Sequence, residues 1–177
     1  MLMRKVILGV AVSLDGFIEG PQGEYDWCFM DQDYGMADFY KRIDAIFMGR
    51  KSYELTQTIE GPNPWKGKLV YVFSNSMKEI NKKDTRLVSG DFRSSVEAIR
   101  SEKGKDIWLF GGAALTTSFM NEALVDELSL AVHPILLGRG KPLFQNIDGR
   151  KKFKLISSKS YDTGLVSLCY QSTSVNT

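Results

Sequence analysis

The sequence has few residues that bind metals or form disulfides, with only two cysteines and one histidine among its 177 residues. Cys28 and Cys169 lie far apart in the chain and lack the Cys-x-x-Cys spacing of zinc sites. Neither a structural zinc ion nor a disulfide framework is therefore indicated, and we expect no metal cofactor. This use of cysteine fits a reducing environment, so we expect the protein to be cytoplasmic.

Long apolar runs and clusters of basic residues are also absent from the sequence. No stretch approaches the roughly 18 consecutive apolar residues typical of a transmembrane helix, so we expect no membrane partner. The formal net charge is only +2, and no run of lysines and arginines resembles those that neutralise polyanions. Nucleic acid is therefore a poor candidate partner, and small-molecule substrates remain.

The composition is otherwise that of an ordinary globular protein, with 43% hydrophobic and 25% charged residues. A chain of this length can bury one hydrophobic core and is too short for two cores of ordinary size. We therefore expect residues 1–177 to form a single domain.

Residues 107–115 show the clearest local pattern in the chain. Residues 107–110 are a short apolar run without alternation, which is typical of a strand buried on both faces. Gly111 and Gly112 follow, and glycine permits backbone conformations and close ligand approach that other residues exclude. Residues 113–115 then favour the start of a helix, whose first N–H groups are unpaired and attract anions. This stretch predicts a phosphate site.

Apolar segments of strand length recur along the chain, with helix-forming segments between the first five of them. Strands are predicted at residues 4–14, 44–48, 69–73, 107–110, 127–133, 152–156 and 165–170. Helices are predicted at residues 36–42, at 50–59 with a stop at 61–64, from Ser94 with a Ser/Glu cap, and at 113–123. Residues 162–164 favour a hairpin turn between the last two strands. The predicted class is α/β, with a mostly parallel central sheet flanked by helices and an antiparallel C-terminal hairpin.

The segment between the first strand and the first helix is acidic and aromatic. Val6 to Tyr40 contains no lysine or arginine. Its carboxylates and larger rings are Asp15, Glu19, Glu24, Asp26, Asp31, Asp33, Asp38, Phe17, Tyr25, Trp27, Phe29 and Tyr34. One interpretation is a lid over a functional site, because long loops in compact domains are often functional. The other is a solvated surface loop anchored by a few of its rings.

Three predicted strands end in turns that suit phosphate binding. These turns contain Gly49, Arg50, Lys51 and Ser52, then Ser74 and Asn75, then Gly111 and Gly112. Because ligands of open α/β sheets lie along the carboxyl edge of the parallel strands, we expect the turns to converge on one crevice. Hydroxyl groups and helix N-termini bind phosphate oxygens, and basic side chains balance the charge. A dinucleotide is the expected ligand, although the sequence has neither a Gly-x-Gly-x-x-Gly nor a Walker motif.

Five motifs together resemble those of the dihydrofolate reductase-like proteins. The resemblance is closer to the reductase domain at the C-terminus of the bifunctional riboflavin-biosynthesis deaminase-reductase. The motifs are SLDGFI at 13–18, MGRKSYE at 48–54, FGGA at 110–113, VDEL at 125–128 and PILLGRGKPLF at 134–144. They span nearly the whole chain in the family's order. The resemblance implies a dihydrofolate reductase-like fold and an NADPH-dependent reductase that acts on a small pterin-, pyrimidine- or ribosylamine-like metabolite.

The resemblance also implies roles for particular residues. The cofactor-binding residues would be Gly49, Arg50, Lys51 and Ser52 for the pyrophosphate and 2′-phosphate, Ser74 and Asn75 for the adenosine end, and Gly111, Gly112, Ala113, Ala114 and Leu115 for the pyrophosphate and nicotinamide side. In dihydrofolate reductases the paired glycines are joined by a cis peptide, which we carry over as a hypothesis. Homodimerisation is a further expectation.

Catalytic and substrate residues are less clearly marked. Asp15 follows a strand end and is our candidate for substrate contact or proton relay, with a turn-capping role as the alternative. Trp27 could stack on a heterocycle, as could Trp108 unless it belongs to the core. Arg139 is a candidate contact for an anionic substrate group, with a surface charge as the alternative, and His133 is expected to be satisfied by its strand neighbours.

One departure from the family pattern limits the expected activity. Dihydrofolate reductases place a carboxylate on the helix after the first loop, where this chain has Met36. Dihydrofolate reduction itself is therefore doubtful, and a non-catalytic nucleotide-binding module on the same fold is the alternative function. A flavin-binding protein of the flavodoxin type is a third hypothesis, because helices flank a parallel sheet with hydroxyl-rich turns.

Overall fold

A computed structural model describes residues 3–59 and 65–173 of the chain, which contain ten strands and four helices. The strands are β1 (Val6–Ser13), β2 (Phe17–Glu19), β3 (Ile43–Gly49), β4 (Leu69–Phe73), β5 (Thr85–Val88), β6 (Asp106–Gly111), β7 (Glu127–His133), β8 (Lys141–Pro142), β9 (Phe153–Ser160) and β10 (Val166–Ser172). The helices are α1 (Met36–Arg42), α2 (Arg50–Thr56), α3 (Phe92–Ser101) and α4 (Ala113–Asn121). None of these helices is long and apolar enough to cross a membrane.

Eight of the strands form one sheet in the order β5-β4-β3-β6-β1-β7-β10-β9. The pairs from β5 to β7 are parallel, and β10 is antiparallel to both of its neighbours. The predicted α/β class, the mostly parallel sheet and the C-terminal hairpin are therefore confirmed. This order differs from the 2-1-3-4-5 order of flavodoxin, so the flavodoxin hypothesis is wrong as a fold assignment.

Helices cover both faces of the central strands, which explains their unalternating apolar sequences. Ile46 points into the core on the side of α1 and α2, whereas its neighbour Phe47 points into the core on the side of α3 and α4. Both side chains are completely buried. Each such burial contributes about 1.5–3 kcal/mol relative to exposure. Trp108 belongs to the first of these cores, as expected for a residue of a buried strand.

Ion pairs join the elements at the amino edge of the central strands. The pairs are Arg4–Asp44, Lys5–Glu127, Arg42–Asp106, Arg42–Glu127 and Arg100–Asp126. Arg4 and Arg100 are 7% and 5% exposed, so their charges depend on these partners. The pairs connect residues at the starts of β1, β3, β6 and β7, and they align those strand ends.

The opposite, carboxyl edge of the sheet is open between β1 and β6. Pairing of these strands ends at Leu8 and Leu109, whereas β1 remains paired to β7 as far as Ser13. Trp108 lies at the point of separation, where its Nε1 donates a 2.9 Å hydrogen bond to the carbonyl oxygen of Gly9. The two neighbouring strands therefore diverge, and they leave a crevice between the end of β1 and the turn after β6.

Several predicted boundaries differ from those in the structure. The third helix begins at Phe92 rather than Ser94, and its cap is Asp91, whose side chain accepts a hydrogen bond from the Ser94 N–H. Helix α2 ends at Thr56 rather than residue 59, while the predicted stop at 61–64 lies outside the described residues. The sequence did not predict β5, β2 or β8, because these strands are short and partly polar.

Gly9 must lack a side chain for Trp108 to take its position. A Cβ at residue 9 would lie 2.8 Å from Trp108 Nε1 and 3.1 Å from Phe39 Cζ. We expect Gly9→Ala to lower the free energy of unfolding by about 1–3 kcal/mol, as overpacking of a core does, measured by urea denaturation. The loss should shrink in a Trp108→Phe background, which removes the indole nitrogen. Equal losses in the two backgrounds would contradict this explanation.

Candidate functional site

The three turns predicted to bind phosphate lie side by side in the structure. Their strands β4, β3 and β6 are consecutive in the sheet, and Met48 in β3 is aligned with Gly111 in β6. Gly49 is likewise aligned with Phe73, the last residue of β4. The turns at 49–52, 74–75 and 111–115 therefore share one stretch of the carboxyl edge, next to the crevice between β1 and β6.

The turn after β6 is built from two glycines in conformations that other residues rarely adopt. Gly111 has φ 102°, and Gly112 has φ 49° with ψ 152°, a region that is essentially restricted to glycine. A Cβ at Gly112 would lie 3.0 Å from Ser52 Oγ, so the turns after β3 and β6 touch at this point. The peptide between the glycines is trans, and the cis hypothesis is wrong because positive φ angles make the turn instead.

Helix α4 starts directly after this turn without a side-chain cap. Gly112 occupies the N-cap position and has no side chain that could accept a hydrogen bond from the first turn. The N–H groups of Ala113, Ala114 and Leu115 lie in that first turn, where backbone donors and the helix dipole favour an anion. The structure thus places two glycines and the first N–H groups of a helix at the position predicted for a pyrophosphate.

The basic residues after β3 are accessible. Arg50 and Lys51 open helix α2, and Lys51 is exposed. Arg50 donates hydrogen bonds of 2.9 and 3.0 Å to the carboxylate of Glu54, one helical turn away. An exposed pair of this spacing stabilises a helix by only about 0.3–0.5 kcal/mol, so a phosphate could compete for the guanidinium.

A cavity of about 200 Å³ lies beyond these residues, between the ends of β4 and β5. Its lining includes Phe73, Ser74, Asn75, Val88, Gly90 and Phe92. The Asn75 side-chain oxygen accepts a 3.0 Å hydrogen bond from the Gly90 N–H, which ties the two strand ends together. Ser74 Oγ accepts hydrogen bonds from the backbone of Ser76 and Met77. The sequence did not predict that β5 and Phe92 contribute to this pocket.

On the other side of the crevice, Asp15 anchors the loop that follows β7. Its carboxylate accepts hydrogen bonds from Ser13 Oγ at 2.6 Å, Gly138 N at 2.7 Å and Leu137 N at 3.2 Å. The bond from Ser13, together with those from the two backbone groups, lowers the pKa of Asp15. The carboxylate therefore stays ionised at neutral pH, and this geometry favours the turn-capping alternative over proton donation.

His133, the last residue of β7, holds the acidic segment in place. Its Nδ1 lies 2.9 Å from the Ala131 carbonyl oxygen, and its Nε2 accepts a 3.1 Å hydrogen bond from the Phe29 N–H. Only a neutral ring can accept at Nε2, and burial lowers the pKa of His133 from its usual value. The expectation that strand neighbours satisfy this histidine is confirmed for Nδ1, while Nε2 binds the acidic segment.

Three rings of the acidic segment are anchored, whereas Tyr25 and most of its carboxylates are exposed. The Trp27 ring lies edge-on to His133 at a centroid distance of 5.3 Å, and the Phe29 ring is 5.0 Å from it. Farther along, Tyr34 packs on Tyr161 and donates a 3.2 Å hydrogen bond to Thr163 at the hairpin tip. The interpretation as a solvated loop with anchoring rings therefore describes its contacts, and its position at the carboxyl edge suits a cover for the site.

The remaining candidates lie at the rim of the site. Arg139 is exposed in the loop after β7, one residue beyond the Gly138 N–H that binds Asp15. Met36 opens helix α1 and is 38% exposed. The carboxylates nearest to it in sequence, Asp33 and Asp38, are exposed and bind the N–H of Ala37 and the ammonium of Lys41 respectively.

Solved structures share this architecture. A protein assigned provisionally to riboflavin biosynthesis, from Shewanella sp. PV-4, has a TM-score of 0.87 and 27% identity over 96% of this chain and 99% of that chain. A diaminohydroxyphosphoribosylaminopyrimidine deaminase/5-amino-6-(5-phosphoribosylamino)uracil reductase from Thermotoga maritima has a TM-score of 0.76 and 16% identity, over 96% of this chain and 57% of that chain. Dihydrofolate reductase from Enterococcus faecalis, complexed with NADP(H), has a TM-score of 0.69 and 14% identity, over 96% and 97% respectively. The last of these shows that the fold is dihydrofolate reductase-like.

Sequence comparison identifies the family directly. The uncharacterized protein YyaP of Bacillus subtilis (strain 168) is 43% identical over 178 residues, covering 94% of each chain. The family model of the RibD C-terminal domain matches residues 4–167, which include all three phosphate-type turns and the loop after β7. Together with the strand order and the paired glycines, this match shows that the chain belongs to the RibD C-terminal domain family.

Proposed function

We propose that the protein is an NADPH-dependent reductase of a small pterin-, pyrimidine- or ribosylamine-like metabolite. The observation that carries this proposal is the alignment of three phosphate-type turns on β4, β3 and β6, with the paired positive-φ glycines before the uncapped helix α4. Family membership supports a reductase, and the Thermotoga and Enterococcus proteins carry a reductase name and a bound NADP(H), respectively.

The residues at the carboxyl edge fit an extended dinucleotide. The turn at 111–115 would hold the pyrophosphate and the nicotinamide side, because its two glycines have no side chains and the first N–H groups of α4 would bind an anion. Gly49 and Ser52 would complete the pyrophosphate site, and Arg50 and Lys51 would bind the 2′-phosphate. Ser74 and Asn75 line the cavity that would take the adenosine end. NADPH bound in this orientation would supply a hydride beside the crevice between β1 and β6.

The protein's own contribution to such a reaction is orientation and exclusion of water. Asp15 fixes the loop 134–140, and His133 fixes the acidic segment. These two segments border the side of the crevice opposite the glycine turn, where a substrate would lie. Trp27 and Arg139 belong to them and remain our candidate substrate contacts.

A non-catalytic nucleotide-binding module is the second candidate function. It is favoured by Met36 at the start of α1 and by the engagement of Asp15, Asp33 and Asp38 in structural contacts. The two functions differ in turnover. Oxidation of NADPH, followed by absorbance across a panel of reducible pterins, pyrimidines and ribosylamines, supports the reductase, and saturable NADPH binding without turnover across that panel supports the module.

The 2′-phosphate assignment predicts a cofactor preference. We expect the double variant Arg50→Ala/Lys51→Ala to raise the Kd for NADPH by at least about tenfold, because hydrogen bonds to charged groups contribute about 1.5–3 kcal/mol each. The Kd for NADH, which lacks the 2′-phosphate, should change little. Tryptophan fluorescence titration measures both constants. Lys41→Ala is the control, because Lys41 also forms an exposed pair with a carboxylate one turn away. An equal loss of affinity for the two cofactors would refute the assignment.

The glycine turn predicts a second effect on cofactor binding. We expect Gly112→Ala to raise the Kd for NADPH at least about tenfold, because alanine is strained at this φ and ψ and its Cβ would press on Ser52 Oγ. Gly67→Ala is the control: Gly67 also has a positive φ, of 80°, but has open space around it and precedes the amino end of β4. Similar effects of the two substitutions on the NADPH Kd would show that the turn does not bind the cofactor.

We also infer that two copies of the chain associate through β9, the edge strand of the sheet. Leu155 and Ile156 in β9 are 49% and 52% exposed, and the unpaired backbone groups of an edge strand can pair with those of a second chain. Light scattering should give twice the mass of the chain, and Ile156→Lys should reduce it to the monomer mass. Ser158→Lys places the same charge at another exposed position of β9, and it shows whether the effect depends on where the lysine lies. A monomer mass for the unmodified protein would exclude the dimer.

A further inference from the structure

Trp27 has a buried hydrogen-bond donor without a partner. Its Nε1 is the one buried side-chain nitrogen or oxygen in residues 3–59 and 65–173 that makes no hydrogen bond. Trp108 shows the usual arrangement, since its Nε1 donates to the Gly9 carbonyl. Leaving a buried donor unpaired costs about 1–3 kcal/mol, and native structures do so rarely and often at functional positions.

This donor lies at the substrate side of the candidate site. Trp27 contacts His133, which is the last residue of β7 and is aligned with Ser13, the last residue of β1. Both strand ends are at the carboxyl edge, across the β1–β6 crevice from Gly111 and Gly112. The unpaired N–H therefore belongs to the wall that the proposed cofactor does not use.

The position of Trp27 depends on His133. The His133 ring is 3% exposed and both of its nitrogens have partners, so the ring cannot turn freely. It packs edge-on against Trp27 and binds the backbone N–H two residues later, at Phe29. The histidine thus fixes both the indole and the backbone that follows it.

We propose that Trp27 recognises the substrate by donating its indole N–H to an acceptor atom of a heterocycle, with His133 as the positioning residue. The proposal rests on the proposed function. It specifies which substrate atom Trp27 would bind, namely a ring carbonyl oxygen or an unprotonated ring nitrogen. An indole N–H can only donate, so it pairs with an acceptor atom and not with another donor. This suits a segment that contains no lysine or arginine between Val6 and Tyr40 to bind an anionic substrate group.

Access of a substrate to this nitrogen requires a movement of the acidic segment, because Nε1 is buried. The described contacts that hold the segment's rings are those of Trp27 and Phe29 with His133 and of Tyr34 with Tyr161 and Thr163. Substrate binding therefore exchanges an unpaired donor for a paired one when the segment closes again. The hydrogen bond gained in this exchange stabilises the closed position of the acidic segment over a bound heterocycle.

The indole resonances of the protein test this proposal directly. The chain has three tryptophans, so a ¹⁵N-labelled sample gives three indole N–H signals, which single Trp→Phe variants assign. We would titrate 6-hydroxymethylpterin, 5,6-diaminouracil and a ribosylaminopyrimidine in the presence of NADP⁺. The Trp27 signal should move downfield with at least one of these compounds, and the Trp108 signal should stay in place. A Trp27 signal that none of the three moves overturns the proposal.

The affinity of the responding compound gives a second readout. Trp27→Phe should raise its Kd about tenfold, as expected for one hydrogen bond of about 1.4 kcal/mol. An unchanged Kd in Trp27→Phe overturns the proposal. The amide signals of Gly111 and Gly112 report on NADP⁺ in the same spectra, so failure of the cofactor site is seen separately from failure of Trp27.

The role of His133 is tested by a pair of substitutions. His133→Leu removes the acceptor for the Phe29 N–H and should raise the Kd of the same compound about tenfold by misplacing Trp27. His133→Gln keeps an acceptor oxygen and should restore most of the affinity. Circular dichroism verifies that both variants are folded. If His133→Gln binds as weakly as His133→Leu while folded, or if both bind normally, the positioning role is wrong.

Discussion

Ion pairs hold the central strands together at the amino edge of the sheet, whereas β1 and β6 part at its carboxyl edge, and the candidate site depends on this difference. At the amino edge, ion pairs that involve the buried Arg4 and Arg100 bring together the starts of the central strands. Buried pairs of this kind add little net stability, but loss of one partner leaves an uncompensated charge, so they oppose other strand registers. At the carboxyl edge, the contact of Trp108 with Gly9 marks the point where β1 and β6 part.

The opening divides the carboxyl edge into two walls with different chemistry. The wall formed by β6, β3 and β4 consists of glycines, hydroxyls, helix N-termini and basic side chains. The wall formed by β1 and β7 includes an ionised aspartate, a neutral histidine and the rings of the acidic segment, with Arg139 exposed at its rim. A polyanionic cofactor suits the first wall, and a neutral heterocycle suits the second. The separation of charge between the walls supports a fixed order of cofactor and substrate across the crevice.

The C-terminal hairpin also connects with the site. Its antiparallel strand β10 pairs with β7, whose last residue is His133, and its tip carries Tyr161 and Thr163, which hold Tyr34. The acidic segment is thus fastened to β7 at one point and to the hairpin tip at another. An association of two chains through β9 would place the partner on the same hairpin, and would link dimer formation with the position of this segment.

Much of the fold was predictable from sequence because local chemistry decides it. Unalternating apolar runs at 44–48, 69–73 and 107–110 specify doubly covered strands, and the helix at 36–42 and the strand at 127–133 have the predicted bounds. The three phosphate-type turns were also visible, since their position follows from parallel strands. The short strands β2, β5 and β8 were not, because pairing partners distant in sequence stabilise them rather than their own composition.

Tertiary structure alone decided how the side chains of the site are used. The sequence established an α/β sheet with glycine- and hydroxyl-rich strand ends, because burial and turn formation act over a few residues. It left open whether Asp15 caps a turn, what His133 binds and whether the Trp27 N–H has a partner, because each answer depends on groups from distant parts of the chain. The carboxylate of Asp15 binds the N–H of Gly138, and the ring of His133 binds the N–H of Phe29, more than one hundred residues away in each case.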